Sequence, residues 1–376
     1  MGDAEHRDVL QAWLQRHADR RGQRHPAQGS ERHRAAARPD HPGRHEGGRV
    51  RRITLILAVA GAMIAPATPA FAHGGEGANV TSYRTTVSGI SDPMRGLSVR
   101  TVEGGARLEL TNDTGRSIEV LGYSGEPYLE LRPDGVYQNL GSPAAYVNRT
   151  LAGDTPVPPV ADPTAPPSWQ KVSAGHTIRW HDQRTHWLGT VRPPQAVTDP
   201  GHAHRLRDWT VPLRDQVRLF AIRGALDYEP PPATWAWWAG VLLLTAALTA
   251  LIRLRPRVIP PLAVVSALSI LAYAVTRGLD GAGWSGVLLL TAALALGAAW
   301  KHPPFYLALS GFVIAAFAGF ASSDVYLAAV VPATGPGWLA RACVTATLTT
   351  GATLALTGLL QMRAAVPDPA PATRVS

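Results

Sequence analysis

Cysteine and lysine are nearly missing from this chain. The single cysteine, Cys343, stands in an apolar run, so neither a disulfide framework nor a cysteine-based zinc site can be built. Lysine occurs only at Lys171 and Lys301; the basic side is arginine, and with abundant alanine, glycine and proline this is the composition bias of GC-rich coding. The formal charge of +9 is therefore no nucleic-acid signature. Much of it lies ahead of Ile53, and no basic stripe with interleaved aromatics follows. No nucleic-acid partner is expected.

Recognisable catalytic motifs are also missing. There is no HExxH, Walker loop or CxxC. Gly281-Ala282-Gly283-Trp284-Ser285-Gly286 matches GxGxxG in letters, but no strand precedes it, so the dinucleotide-binding geometry has no basis. Gly122-Tyr123-Ser124-Gly125 is one residue short of a nucleophile elbow. The expectation is a protein that is not an enzyme, with no catalytic residues and no organic cofactor site.

What is present is a set of segments with different physical characters. Residues 1–49 are rich in Arg, His and Gly with almost no apolar periodicity, which reads as a disordered leader or a mis-assigned start, with Val50 as the alternative initiation codon. Residues 50–72 read as a signal peptide: Arg51-Arg52, an apolar centre from Ile53 to about Ala65, then Ala70-Phe71-Ala72 as the cleavage site. Cleavage makes His73 the first mature residue.

Residues 73–230 carry period-two patches between turn residues. Leu97–Val102, Ala106–Leu110, Ser117–Leu121, Tyr128–Arg132, Thr177–Trp180, Trp209–Leu213 and Val217–Ile222 alternate apolar and polar positions, punctuated by Gly104-Gly105, Asn112–Gly115 and Pro133-Asp134-Gly135. Short strands with close turns predict an all-β antiparallel sandwich of immunoglobulin-like type. Pro156–Pro167 is a long loop.

Residues 231–361 hold five apolar stretches, at about 234–253, 258–276, 284–300, 304–321 and 338–360, each near the length of a membrane span. The chain is thus α+β by segment: a sandwich followed by an all-α bundle of about five transmembrane helices in contact with lipid. Val325–Val331 is too short to cross and reads as an outer loop or re-entrant segment. Arg253, Arg255, Arg257, Lys301 and Arg363 fall on one side of such a bundle, Arg277 on the other. The predicted protein sits in the cell membrane as a multi-pass chain, with residues 73–230 extracytoplasmic and a cytoplasmic tail over 362–376. The text Trp238–Leu248 recurs at Trp284–Leu294, each copy leading to a Pro-Pro pair, which suggests duplicated hairpins. No ionisable residue lies near the centre of a span, which argues for an anchor over a pump; Arg341 and Asp324 are expected to pair at the surface.

The histidines carry the chemical lead. His73 would offer an α-amine and an imidazole together, a chelate suited to Cu(II). Trp180-His181-Asp182-Gln183-Arg184-Thr185-His186-Trp187 places two imidazoles and a carboxylate between tryptophans. His181 and His186 would face opposite ways on a straight strand and converge only across a turn, with Asp182 orienting an imidazole from behind. His202 and His204 share one face if extended. The competing reading is that such histidines are hydrogen-bonded packing residues at a domain edge.

An N-terminal His after Ala-x-Ala on a β-sandwich resembles the CopC and YcnI type of periplasmic copper-handling domain, and this resemblance implies copper as the ligand. The wider layout, including Gly122–Tyr128, Ser142-Pro143-Ala144, Asn148 and the Trp-His-Asp segment, is similar to multi-pass membrane proteins of high-GC bacteria that carry an exported β domain. The resemblance implies an architecture. The expected function is a membrane-tethered extracytoplasmic binding protein, with copper as candidate ligand at His73, His181 and His186 and Asp182 in support. The alternative is a non-catalytic envelope assembly protein acting through a protein partner.

Overall fold

The computed structural model describes residues 79–365. The segments expected to be leader and signal, His73 and residues 366–376 lie outside the described residues.

Ten antiparallel strands come first: β1 Tyr83–Ile90, β2 Leu97–Val102, β3 Arg107–Asn112, β4 Ile118–Leu121, β5 Pro127–Arg132, β6 Gly135–Asn139, β7 Trp169–Ser173, β8 Thr177–Trp180, β9 His204–Asp215 and β10 Arg218–Tyr228. They form a seven-stranded sheet in the order β1-β10-β9-β4-β5-β6-β7 and a three-stranded sheet in the order β2-β3-β8. Alternation of buried and exposed positions accounts for the strands expected from sequence. Three others escaped it for local reasons. A bulge between Val87 and Gly89 breaks the period of β1. β7 is exposed along most of its length. β6 returns from β5 through Pro133-Asp134, with Arg132 paired to Gly135, so the expected turn conceals a full hairpin.

One apolar core joins the two sheets. Leu108 and Leu110 from the smaller sheet pack with Val120, Leu131, Val211, Leu213, Ile222 and Leu226 from the larger. Burying each of these side chains is worth roughly 1.5–3 kcal/mol. The antiparallel β region is thus as expected, while its seven-and-three division does not by itself establish an immunoglobulin-like sandwich.

Apolar helices follow at the predicted places: α1 Thr234–Leu254, α2 Ile259–Leu279, α3 Gly286–Trp300, α4 Pro304–Val313 and α5 Gly337–Ala364. α4 continues through a wider turn and a 3-10 turn to Tyr326. Four of these helical segments are long and apolar enough to cross a membrane; α3, at 15 residues, is shorter. Pro260-Pro261 and Pro304 occupy first-turn positions, where a missing N–H costs nothing. The repeated text is used differently in its two copies. Trp238 lies inside α1 with its ring edge on Tyr326 at 5.6 Å, whereas Trp284 precedes α3 and is largely exposed. α4 and α5 touch through glycine: a Cβ on Gly311 would stand 2.3 Å from Ala355 N, and one on Gly358 would stand 2.3 Å from Ala308 N. Such backbone contact replaces side-chain interdigitation in apolar bundles.

Arg341 is not paired with Asp324 as the sequence suggested. It is buried, and its guanidinium donates to the carbonyls of Val325, Ala328 and Ala329 at 2.8–2.9 Å. Those bonds shape the Val325–Val331 segment, which is tied to the start of the β region: Thr81 and Val330 exchange two backbone hydrogen bonds, at 3.1 and 2.8 Å.

A second tie lies at the loop after α2. Glu103, Gly104 and Gly105 all have positive φ, at 59°, 68° and 93°. The turn they make leaves the Glu103 and Gly104 N–H groups in one small concavity. Asp280 fills it: the Glu103 N–H donates to its carbonyl at 2.7 Å, and the Gly104 N–H to its carboxylate at 2.6 Å. Arg179 adds a bond to the Gly281 carbonyl at 3.3 Å. The Gly-Gly pair read as a simple turn is therefore half of a joint between sheet and helix.

Candidate functional site

The segment after β8 leaves the sheet at Trp180, whose ring is in the core. Asp182 then caps a 3-10 turn over Gln183–Thr185 by accepting the Arg184 N–H at 3.1 Å. The turn that the His181–His186 spacing required is present. The Asp182 carboxylate, fully buried, also accepts from Trp180 Nε1 at 3.1 Å and from the Arg184 guanidinium twice, at 2.8 Å. Its oxygens are committed to Arg184 and Trp180, so it fixes the turn and does not reach behind an imidazole.

Arg184 extends the network to the Gly122–Tyr128 segment. It donates to the Leu121 carbonyl at 3.2 Å, and its guanidinium stacks on Tyr123 at 4.9 Å. The Tyr123 hydroxyl donates to Asn148 Oδ1 and accepts from the Gln183 N–H. Burial raises the Tyr123 hydroxyl well above its ordinary pKa. Beneath it, Glu126 accepts from Ser142 Oγ at 2.6 Å and from the Ser124 N–H at 2.9 Å. The polar landmarks of the sequence, scattered over 122–148 and 180–187, thus meet in one connected cluster in which Glu126, Asn148 and Asp182 are buried and Tyr123 reaches the surface. Gly122 is needed there, because a Cβ would collide with the Glu126 carboxylate.

The two histidines come to one corner but differ in state. His181 Nδ1 lies 2.8 Å from the Ala106 carbonyl, and its Nε2 accepts from Arg107 Nε at 3.1 Å. A guanidinium only donates, so the proton sits on Nδ1 and the Nε2 lone pair is occupied. His186 is buried, and its Nε2 has no hydrogen-bond partner among the described residues. Burial above all, with His181 nearby adding to it, pulls the His186 imidazole down to a pKa of about 4. This residue borders a cavity of about 170 Å³ that Asn79, Val80, Tyr83 and Trp187 also line. His202 and His204 go elsewhere, both to Asp199, at 2.7 Å each.

Among the described residues, no three His, Cys, Asp or Glu side chains are grouped to hold a metal ion. His73, which would complete such a group, lies outside the described residues. No family model, curated protein or solved structure matches this chain.

Sequence reasoning passed over Arg107, Glu103 and Asp280. Arg107 is the residue that decides the state of His181, and nothing in its local pattern distinguishes it from any strand arginine. Asp280, directly after an apolar helix, carried a usable signal as a carboxylate at a membrane boundary. Burial raises its pKa, the Gly104 N–H opposes that rise, and Glu103 adds to it.

Proposed function

We propose that this chain is a membrane-tethered extracytoplasmic binding protein without catalytic machinery. Its β region faces outward, all five apolar helices cross the bilayer, and the C terminus is cytoplasmic. The one-sidedness of the joint is the observation that carries this reading. Asp280, Gly281 and Val330, which touch the β region, follow α2 and α4, and β10 leads directly into α1. The opposite helix ends carry Arg253, Arg255, Arg257, Lys301 and Arg363. Cationic loops stay cytoplasmic, so the sheets belong outside. At 15 residues α3 spans only about 22 Å, and local thinning of the bilayer would accommodate it. The shared core of the two sheets supports an immunoglobulin-like sandwich as the finer description.

Copper is the candidate ligand, and His186 is its best support within the β region. A neutral imidazole with an unpartnered nitrogen is the form that binds metal. Asn79 borders the same cavity, and His73 precedes Asn79 by six residues, a reach of up to about 20 Å. His181 would join only if Arg107 released its Nε2, while Asp182 serves by holding the turn. The test is a Cu(II) titration of the mature full-length chain, of the same chain with one residue added ahead of His73, and of His186→Gln. Both alterations should weaken binding, and equal affinity in all three would remove copper from the proposal.

A second reading, an envelope assembly protein, draws on α1. Only 11% of its apolar window is buried, the least of the four long helical segments, which leaves a flank for a membrane partner. Crosslinking from Leu243 that captured lipid alone would count against it.

A further inference from the structure

A second cavity, of about 240 Å³, lies where β5 and β6 of the larger sheet approach β8. It shares no lining residue with the cavity beside His186, but His181 lines it and so stands in both readings, and the test below is run without copper. Arg107, Arg149 and Arg179 line it, and among the described residues no aspartate or glutamate does.

The disposition of charge around it is uneven. Arg179 and Arg100 share one carboxylate, Glu109, at 2.5 and 2.6 Å. Arg107 spends its Nε on the neutral imidazole of His181 and only grazes Glu103 at 3.4 Å. Arg149 stacks on the Tyr146 ring at 4.7 Å, and no carboxylate is placed against it among the described residues. Four guanidiniums therefore face two carboxylates, which leaves two positive charges over. Beside the cavity, Asn148 is buried with its Oδ1 engaged by Tyr123 and its Nδ2 without an acceptor among the described residues. Buried amide donors are rarely left so, because the desolvation is uncompensated. Ile178, Val172 and Leu129 give the wall an apolar side, Gln138 and Tyr128 add polar groups to it, and the space exceeds what an inorganic anion needs.

We infer that this cavity binds a small organic carboxylate, its charge held by Arg107 and Arg149 and its apolar body laid against Ile178 and Val172. Arginine forks match a carboxylate in both charge and geometry. The Asn148 amide provides a further donor on the same side.

The probe is benzoate, with benzamide as a neutral molecule of the same shape and inorganic phosphate as an anion without an apolar body. Each is titrated into the full-length chain in detergent micelles and followed by calorimetry. Benzoate should bind saturably and roughly tenfold or more tighter than either control, the range of one charge-assisted contact. Arg149→Gln should lose about tenfold in benzoate affinity. Its unliganded melting temperature should fall only slightly, since Arg149 is exposed, makes no ion pair among the described residues and loses only its stack on Tyr146. The inference is overturned by benzoate binding no tighter than benzamide or phosphate, by absence of saturable benzoate binding, or by an Arg149→Gln chain that binds benzoate as the parent does.

Discussion

His186 couples the stability of the β region to pH in a direction that its burial fixes. An exposed imidazole titrates near 6.5, whereas His186 is pulled down to about 4. In the unfolded chain the ring takes a proton as pH falls through 6.5; in the folded chain it resists until about 4. The folded state thus carries its full advantage above 6.5 and loses it progressively between 6.5 and about 4, below which the loss levels off. At about 1.4 kcal/mol per pH unit, the window corresponds to roughly 3 kcal/mol. That is a large part of the roughly 5–15 kcal/mol typical of a domain. The assay is urea unfolding of the full-length chain in micelles, followed by tryptophan fluorescence, since Trp180, Trp187 and Trp209 all pack in or against the β core. His186→Gln keeps a polar side chain of similar reach but cannot titrate. The parent should lose about 3 kcal/mol more than the variant across the window. Superimposable pH slopes would refute the reasoning, since His186 would then be accessible and titrate normally.

Two further outcomes are expected from the packing. Asp280→Ala removes the acceptor for the Gly104 N–H and should loosen the joint by about 2 kcal/mol; faster hydrogen exchange at Glu103–Arg107, with β9 and β10 unchanged, is the readout. Gly311→Val drives two methyl groups into the α5 backbone and should cost about 1–3 kcal/mol or more, seen as a lower unfolding midpoint and new proteolysis between α4 and α5.

The helices were legible because lipid-facing text needs only length and apolar content, and their ends were marked by Pro and Arg. Strands such as Leu97–Val102 and Thr177–Trp180 were legible because one face is buried and the other wet. β7 was not, since an exposed edge strand has no contrast to display. The Trp180–Trp187 segment announced a turn with two imidazoles, and the structure has both. What the letters could not convey was partner choice. Asp182 goes to Arg184, which lies two residues away, and His181 goes to Arg107, 74 residues earlier. Arg341 goes to three carbonyls and not to Asp324. Each choice depends on which donors the fold brings close, information that lies in long-range contacts.

The central claim is that the sheets face outward on a bundle whose other end is cytoplasmic. Replacing Cys343 by Ala gives a cysteine-free chain, into which a cysteine is placed at Val217, 96% exposed in the β9–β10 turn, or at Arg363, exposed near the end of α5. Intact cells are then treated with a membrane-impermeant maleimide. Val217→Cys should label without permeabilisation and Arg363→Cys only after it; the reverse pattern, or labelling of both only in opened cells, would contradict the account.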